Sequence, residues 1–148
     1  MTSGTSGSIL LVEDNEDDAT LTVLAFKRAN LLNKVVVADD GAKALDYLFG
    51  DNAFAGTGEP LPIFMILDLN LPKVSGLDVL KRVRADERTK YMPVVVLTTS
   101  IEDEDVINSY ARGANAYVRK PVEFEKFLDS AARLGMFWLL TNVGPPRA

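Results

Sequence analysis

The chain has 148 residues, near the usual size of one domain, and a domain of this length hides roughly 70% of its unfolded surface, so one core is expected. Its 47% hydrophobic and 25% charged residues are ordinary for a globular protein and argue against disorder or a fibre. A net charge of −5 without a basic run argues against nucleic-acid binding, and no apolar run reaches the roughly 18 to 20 residues of a membrane span, so a cytoplasmic protein is expected.

Residues Met1 to Ser8 are Ser, Gly and Thr after the initiator Met, a composition that predicts a flexible lead over 1–8. Ile9 to Val12 is a continuous apolar run, readable as a strand buried on both faces. An acidic turn follows, and from Asp17 to Asn30 the residues Leu21, Leu24, Ala25 and Ala29 recur near the helical period. Val35 to Val37 is a second strand, and Ala42, Ala44, Leu45 and Leu48 after Gly41 a second helix.

Five Gly and Pro residues between Phe49 and Pro62 predict a long loop. Ile63 to Leu67 reads as the third strand, ending at Asp68, and Gly76 opens a helix carrying Leu77, Leu80 and Val83. Val94 to Leu97 reads as the fourth strand, followed by a helix over Glu102 to Arg112 and a brief fifth strand over Ala116 to Val118. Phe124, Phe127, Leu128, Ala131 and Ala132 mark a last helix that reaches toward Leu140 before Gly144, Pro145 and Pro146. Residues 9–136 form the expected domain, with an apolar extension over 137–148.

Strands alternating with helices predict an α/β fold, a doubly wound five-stranded parallel sheet joined by right-handed crossovers. Ligands of such sheets lie beyond the carboxyl ends of the strands, where the strand order reverses. The residues at those ends are Glu13 and Asp14, then Asp68, Thr98 and Lys120, while the second strand adds no comparable group. The chain has neither Cys nor His, so chemistry must run on carboxylates, hydroxyls and lysine.

Three carboxylates brought together repel one another unless a hard divalent cation neutralises them, which predicts a magnesium site. Magnesium takes few protein carboxylates and keeps waters and phosphate oxygens, so an open acidic cluster suits phosphoryl chemistry. Thr98 can hydrogen-bond a phosphoryl oxygen, and Lys120 can pair with Asp68 at rest and with a phosphate afterward. Glu16, Asp17 and Asp18 read as acids that serve only the dipole of the first helix.

The runs Val12-Glu13-Asp14-Asn15, Leu67-Asp68-Leu69-Asn70-Leu71-Pro72, Leu97-Thr98-Thr99 and Tyr117-Val118-Arg119-Lys120-Pro121, in that order, resemble the motifs of response-regulator receiver domains from about Ile9 to Leu134. The resemblance implies the flavodoxin-like (βα)5 receiver fold and a phosphoacceptor role for Asp68, supplied by a sensor histidine kinase or a small phosphodonor. It implies that Asp14, Asp68 and the Asn70 carbonyl bind Mg2+ directly and Glu13 through a water. It also implies that Thr98 and Lys120 hold the phosphoryl group, that Thr98 and Tyr117 form the switch, and that the Lys120–Pro121 peptide is cis.

Glu13 stands where many relatives have Asp, and Thr99 is bulkier than the Ala or Gly often found there. The loop before Pro62 and the apolar tail Phe137 to Leu140 look similar to single-domain regulators paired with bacterial phytochrome kinases. The resemblance and the tail together imply a homodimer through the fourth helix, fifth strand, fifth helix and the extension. An aspartyl phosphatase would place a second acid where Asn70 stands, and a flavodoxin-like cofactor module would place a phosphate loop where Glu13 to Asp18 lie. A constitutive binding module would not need Asp68, Thr98 and Lys120. Signalling rather than enzymatic turnover is therefore expected, with output by contact with another protein, by dimer exchange or by draining phosphate from a kinase.

Overall fold

Each strand alternates between two apolar layers. In the computed structural model, which describes residues 7–28, 33–50, 61–99 and 102–120, five strands form one parallel sheet: β1 (Ser8–Val12), β2 (Lys34–Ala38), β3 (Phe64–Leu67), β4 (Val94–Thr98) and β5 (Ala116–Arg119). Between them lie α1 (Glu16–Arg28), α2 (Gly41–Phe49), α3 (Gly76–Ala85) and α4 (Asp103–Ala111). The loop over 51–60, the Lys120–Pro121 bond, the last helix and the 137–148 extension lie outside the described residues.

The strand order is β2-β1-β3-β4-β5, so the chain reverses direction across the sheet between β1 and β3. Ile9, Leu11, Phe64, Ile66, Val95 and Leu97 face α1 and pack with Ala19 and Phe26. Leu10, Val12, Met65, Leu67, Val94 and Val96 form the other layer with Ala44, Leu48, Val79, Leu80 and Val83 of α2 and α3. Because both layers are covered, β1, β3 and β4 read as unbroken apolar runs rather than as alternating ones.

Helix starts follow local chemistry. The Asp40 carboxylate accepts from Lys43 N at 2.7 Å to cap α2, and the Ser75 hydroxyl accepts from Asp78 N at 3.2 Å to cap α3. At α1 the Asn15 side-chain oxygen accepts from Asp18 N at 2.9 Å, with Glu16, Asp17 and Asp18 in the first turn and Lys27 and Arg28 in the last. Phe49, expected in a loop, is the last residue of α2, where the Arg82 guanidinium lies 4.4 Å from its ring centre.

A half-buried arginine fastens the amino ends of β4 and β5. Arg84 donates from Nε to Gly113 O at 2.9 Å, from one terminal nitrogen to Lys90 O at 3.0 Å and Met92 O at 2.7 Å, and from the other to Asn115 Oδ1 at 2.9 Å. Asn115 Oδ1 also accepts from Val94 N at 2.8 Å. Gly113 has φ +99°, and a Cβ there would lie 2.8 Å from Arg84 Nε, so both backbone and space call for glycine. No described helix is long and apolar enough to cross a membrane.

Candidate functional site

The parallel register places the strand ends side by side. Val12 pairs with Leu67, and Asp68 N donates to Val12 O at 3.0 Å, so Glu13 and Asp68 leave adjacent strands together. Thr98 pairs with Arg119, and Lys120 N donates to Thr98 O at 2.8 Å, which brings β4 and β5 to the same edge. Glu13, Asp14, Asp68, Thr98 and Lys120 thus gather beyond the carboxyl ends of the strands, beside the reversal between β1 and β3.

Asp68 is only 5% exposed and is held at both oxygens. Thr98, fully buried, donates from Oγ1 to Asp68 Oδ1 at 2.8 Å, and Asn70 N donates to the same oxygen at 3.1 Å. Lys120 Nζ lies 3.1 Å from Asp68 Oδ2. Just beyond Asn70 the loop turns tightly, with Val74 N donating to Pro72 O at 2.8 Å and Lys73 at φ +68°.

The acids differ in setting. Glu13, Asp14 and Asp68 each offer an oxygen within 4.8 Å of the others, and Asp14 is exposed while Glu13 and Asp68 are buried. This is a donor set of hard oxygens open on one side, which fits a divalent cation that retains water. Glu13 already uses both oxygens: Oε1 lies 2.7 Å from Lys120 Nζ, and Oε2 accepts from Asn15 N at 3.1 Å.

Burial pushes the Glu13 carboxyl up to about 7, with the Asp68 charge adding to the rise and the Lys120 ammonium opposing it. Burial works against the Lys120 ammonium, but its hydrogen bonds to Asp18 and Glu13 and the charge of Asp68 outweigh that and hold its pKa above the ordinary lysine value. It is a cation shared among acids.

The structure corrects the reading of Asp18 as a dipole acid only. Asp18 Oδ2 lies 2.7 Å from Lys120 Nζ, across 102 positions of sequence. An acid in the first turn of a helix has a sufficient local explanation, and only the fold, which brings Lys120 after β5 and the first turn of α1 to the same end of the sheet, reveals the second partner. Tyr117, in contrast, is half-buried on β5 opposite Val96 and packs on the α2 and α3 layer. It lines an open groove of about 720 Å³ with Val106, Ile107 and Tyr110 of α4. Thr99 is exposed at the rim of the acid cluster's end of the sheet.

Comparison with known proteins agrees with this arrangement. The sequence model of the response regulator receiver domain matches residues 9–132. The chain belongs to the response regulator receiver family. Its five-stranded parallel sheet is the flavodoxin-like receiver fold. This receiver is similar to the probable methanogenesis regulatory protein FilR2 of Methanothrix harundinacea, 41% identical over 137 residues that make up 93% of this chain and 86% of that protein.

Among solved structures, the receiver is similar to the phosphorylated cyanobacterial phytochrome response regulator RcpA, 35% identical with a TM-score of 0.87, over 95% of this chain and 99% of that one. It is also similar to the bacteriophytochrome response regulator RtBRR, 49% identical with a TM-score of 0.73, over 95% of this chain and 84% of that one.

Proposed function

We propose that this receiver accepts a phosphoryl group on Asp68 from a partner histidine kinase in a magnesium-dependent reaction and signals by the conformational change that follows. One observation carries the reading: a buried carboxylate is held between a hydroxyl and an ammonium, with two further acids beside it. An Asp68 oxygen attacks phosphorus, the bond from phosphorus to the donor histidine nitrogen breaks, and that histidine leaves with the bonding pair. None of the 148 residues is His, so the donor histidine lies outside this sequence.

Thr98 and Lys120 take the phosphoryl oxygens, since both already reach Asp68. Asp14, Asp68 and the Asn70 carbonyl would hold magnesium, and Glu13, with both oxygens engaged, would act through a water. The ion would neutralise the charge that a phosphoryl group brings to the acids. Thr98 moves toward the phosphoryl group, and Tyr117 follows by changing its place on the α4 and β5 groove.

The pathway proposed is light sensing through a bacteriophytochrome kinase, supported by the likeness to RcpA and RtBRR. The dimer proposed uses α4, β5, the helix after it and the 137–148 extension, supported by Ile107 and Tyr110, 66% and 51% exposed beside that groove. Light scattering before and after deletion of residues 137–148 tests it, and a monomer in both cases would end it.

Incubation with magnesium and acetyl phosphate, or with beryllofluoride, tests the central reading by mass and fluorescence. Uptake by the native chain and none by Asp68→Asn is expected. A native chain that takes up neither overturns it. Phosphotransfer from a bacteriophytochrome kinase that changes between red and far-red light tests the pathway separately.

A further inference from the structure

The Lys120 ammonium carries three protons and meets three carboxylate oxygens: Glu13 Oε1 at 2.7 Å, Asp18 Oδ2 at 2.7 Å and Asp68 Oδ2 at 3.1 Å. The longest of the three contacts is the one to Asp68. Two acids outside the acceptor therefore hold the cation, and they approach from different elements, Glu13 from the end of β1 and Asp18 from the first turn of α1.

These contacts close a ring. Asn15 N donates to Glu13 Oε2 at 3.1 Å, and Asp18 N donates to Asn15 Oδ1 at 2.9 Å. The Asp18 carboxylate then accepts from Lys120, which in turn donates to Glu13. Thr22 Oγ1 adds a bond to Asp18 O at 2.9 Å and anchors the same turn. A residue with a flexible four-carbon stem is thus fixed by a short, continuous set of bonds that begins at one acid of the site and returns to it.

We propose that Asp18 is a positioning residue for phosphoryl transfer to Asp68, acting through Lys120. The inference rests on the Asp68 phosphoacceptor reading. Phosphorylation of Asp68 to the acyl phosphate moves its negative charge outward onto the phosphoryl oxygens, and an ammonium held by Glu13 alone would be drawn toward Glu13. Asp18 pulls from the α1 side and keeps Lys120 between the acids, where the phosphoryl oxygens arrive. Its effect belongs to the transition state, in which those oxygens need a fixed cation, rather than to binding of the donor.

The test compares native protein with Asp18→Asn, which keeps the shape and removes the charge, and with Asp18→Glu, which keeps the charge and displaces it. Acetyl phosphate is the donor, with saturating magnesium, and melting temperatures accompany each rate. Asp18→Asn is expected to lower the maximal rate about tenfold, with half-saturating acetyl phosphate unchanged or lower because one repelling acid is gone. Asp18→Glu is expected to fall between, about threefold slow. The fluorine resonance of bound beryllofluoride is expected to shift in Asp18→Asn, since its fluorines stand where the phosphoryl oxygens would meet Lys120.

A native maximal rate in Asp18→Asn overturns the proposal, as does a loss seen only in half-saturation. If Asp18→Asn does not fold, a native rate in Asp18→Glu overturns it instead. Failure of the native chain to take up phosphate is a different result, which removes the Asp68 reading itself.

Discussion

Gly76 lies directly against the backbone of Asp68: a Cβ at Gly76 would stand 2.3 Å from the Asp68 carbonyl oxygen and 2.6 Å from Leu69 Cα. The first residue of α3 is therefore packed on the residue that carries the proposed chemistry, and Gly76 N donates to Leu69 O at 3.0 Å in the same contact. Backbone cannot move aside as a side chain can. Gly76→Ala is expected to cost about 1–3 kcal/mol by overpacking and to slow acetyl phosphate uptake, because relief must shift Asp68. Denaturant melts and phosphorylation rates on the same samples check both parts.

The Glu13 carboxyl gives the metal-free protein a pH dependence of known sign. Its pKa in the fold, about 7, is above the ordinary value of 4.5, so the folded chain binds the extra proton and this stabilisation is complete below about 4.5. It is lost as pH rises through 7. With no histidine in the chain, few other side chains compete in this window. In chelator, stability is expected to fall by about 2–3 kcal/mol between pH 5 and pH 8, and Glu13→Gln is expected to flatten the slope. Urea titrations at the two pH values measure it.

Magnesium is expected to raise the melting temperature, because it would bind the gathered acids of the fold and not the dispersed acids of the unfolded chain. At a hundred times its dissociation constant, the gain is about 2.7 kcal/mol. Asp14, the exposed member of the cluster, is the open point of access, and Asp14→Ala is expected to abolish the gain while leaving the metal-free fold intact. Thermal scans with and without magnesium decide the matter, and equal midpoints for the native protein count against the site.

Arg84→Lys is expected to cost about 1.5–3 kcal/mol, since a single ammonium cannot reach the acceptors of Gly113, Lys90, Met92 and Asn115 together. The acceptor site lies at the opposite end of the strands, so phosphorylation of the folded variant is expected to proceed at the native rate. A variant that melts normally would remove the structural role given to Arg84.

The centre of the sheet was legible because β1, β3 and β4 are buried on both faces, which writes Ile9–Val12 and Val94–Leu97 as unbroken apolar runs. The candidate site was legible for a related reason: Glu13, Asp14, Asp68, Thr98 and Lys120 each lie at or within two residues of the end of a strand. Asp18 was not, because its place in a helix start already accounts for an acid, and its contact with Lys120 joins residues 102 positions apart that only the fold brings together. Arg84 was hidden more completely. Most of its acceptors are backbone carbonyls, which every residue carries, so no side-chain pattern announces them.

The clamp at Arg84 and the proposed phosphoacceptor site lie at opposite ends of the same two strands. β4 and β5 are bound at their amino ends by one guanidinium and by Asn115, whereas their carboxyl ends deliver Thr98 and Lys120 to whatever occupies Asp68. Because Lys120 N donates to Thr98 O at 2.8 Å, the two carboxyl ends are tied to each other, and a group that displaced one would carry the other with it.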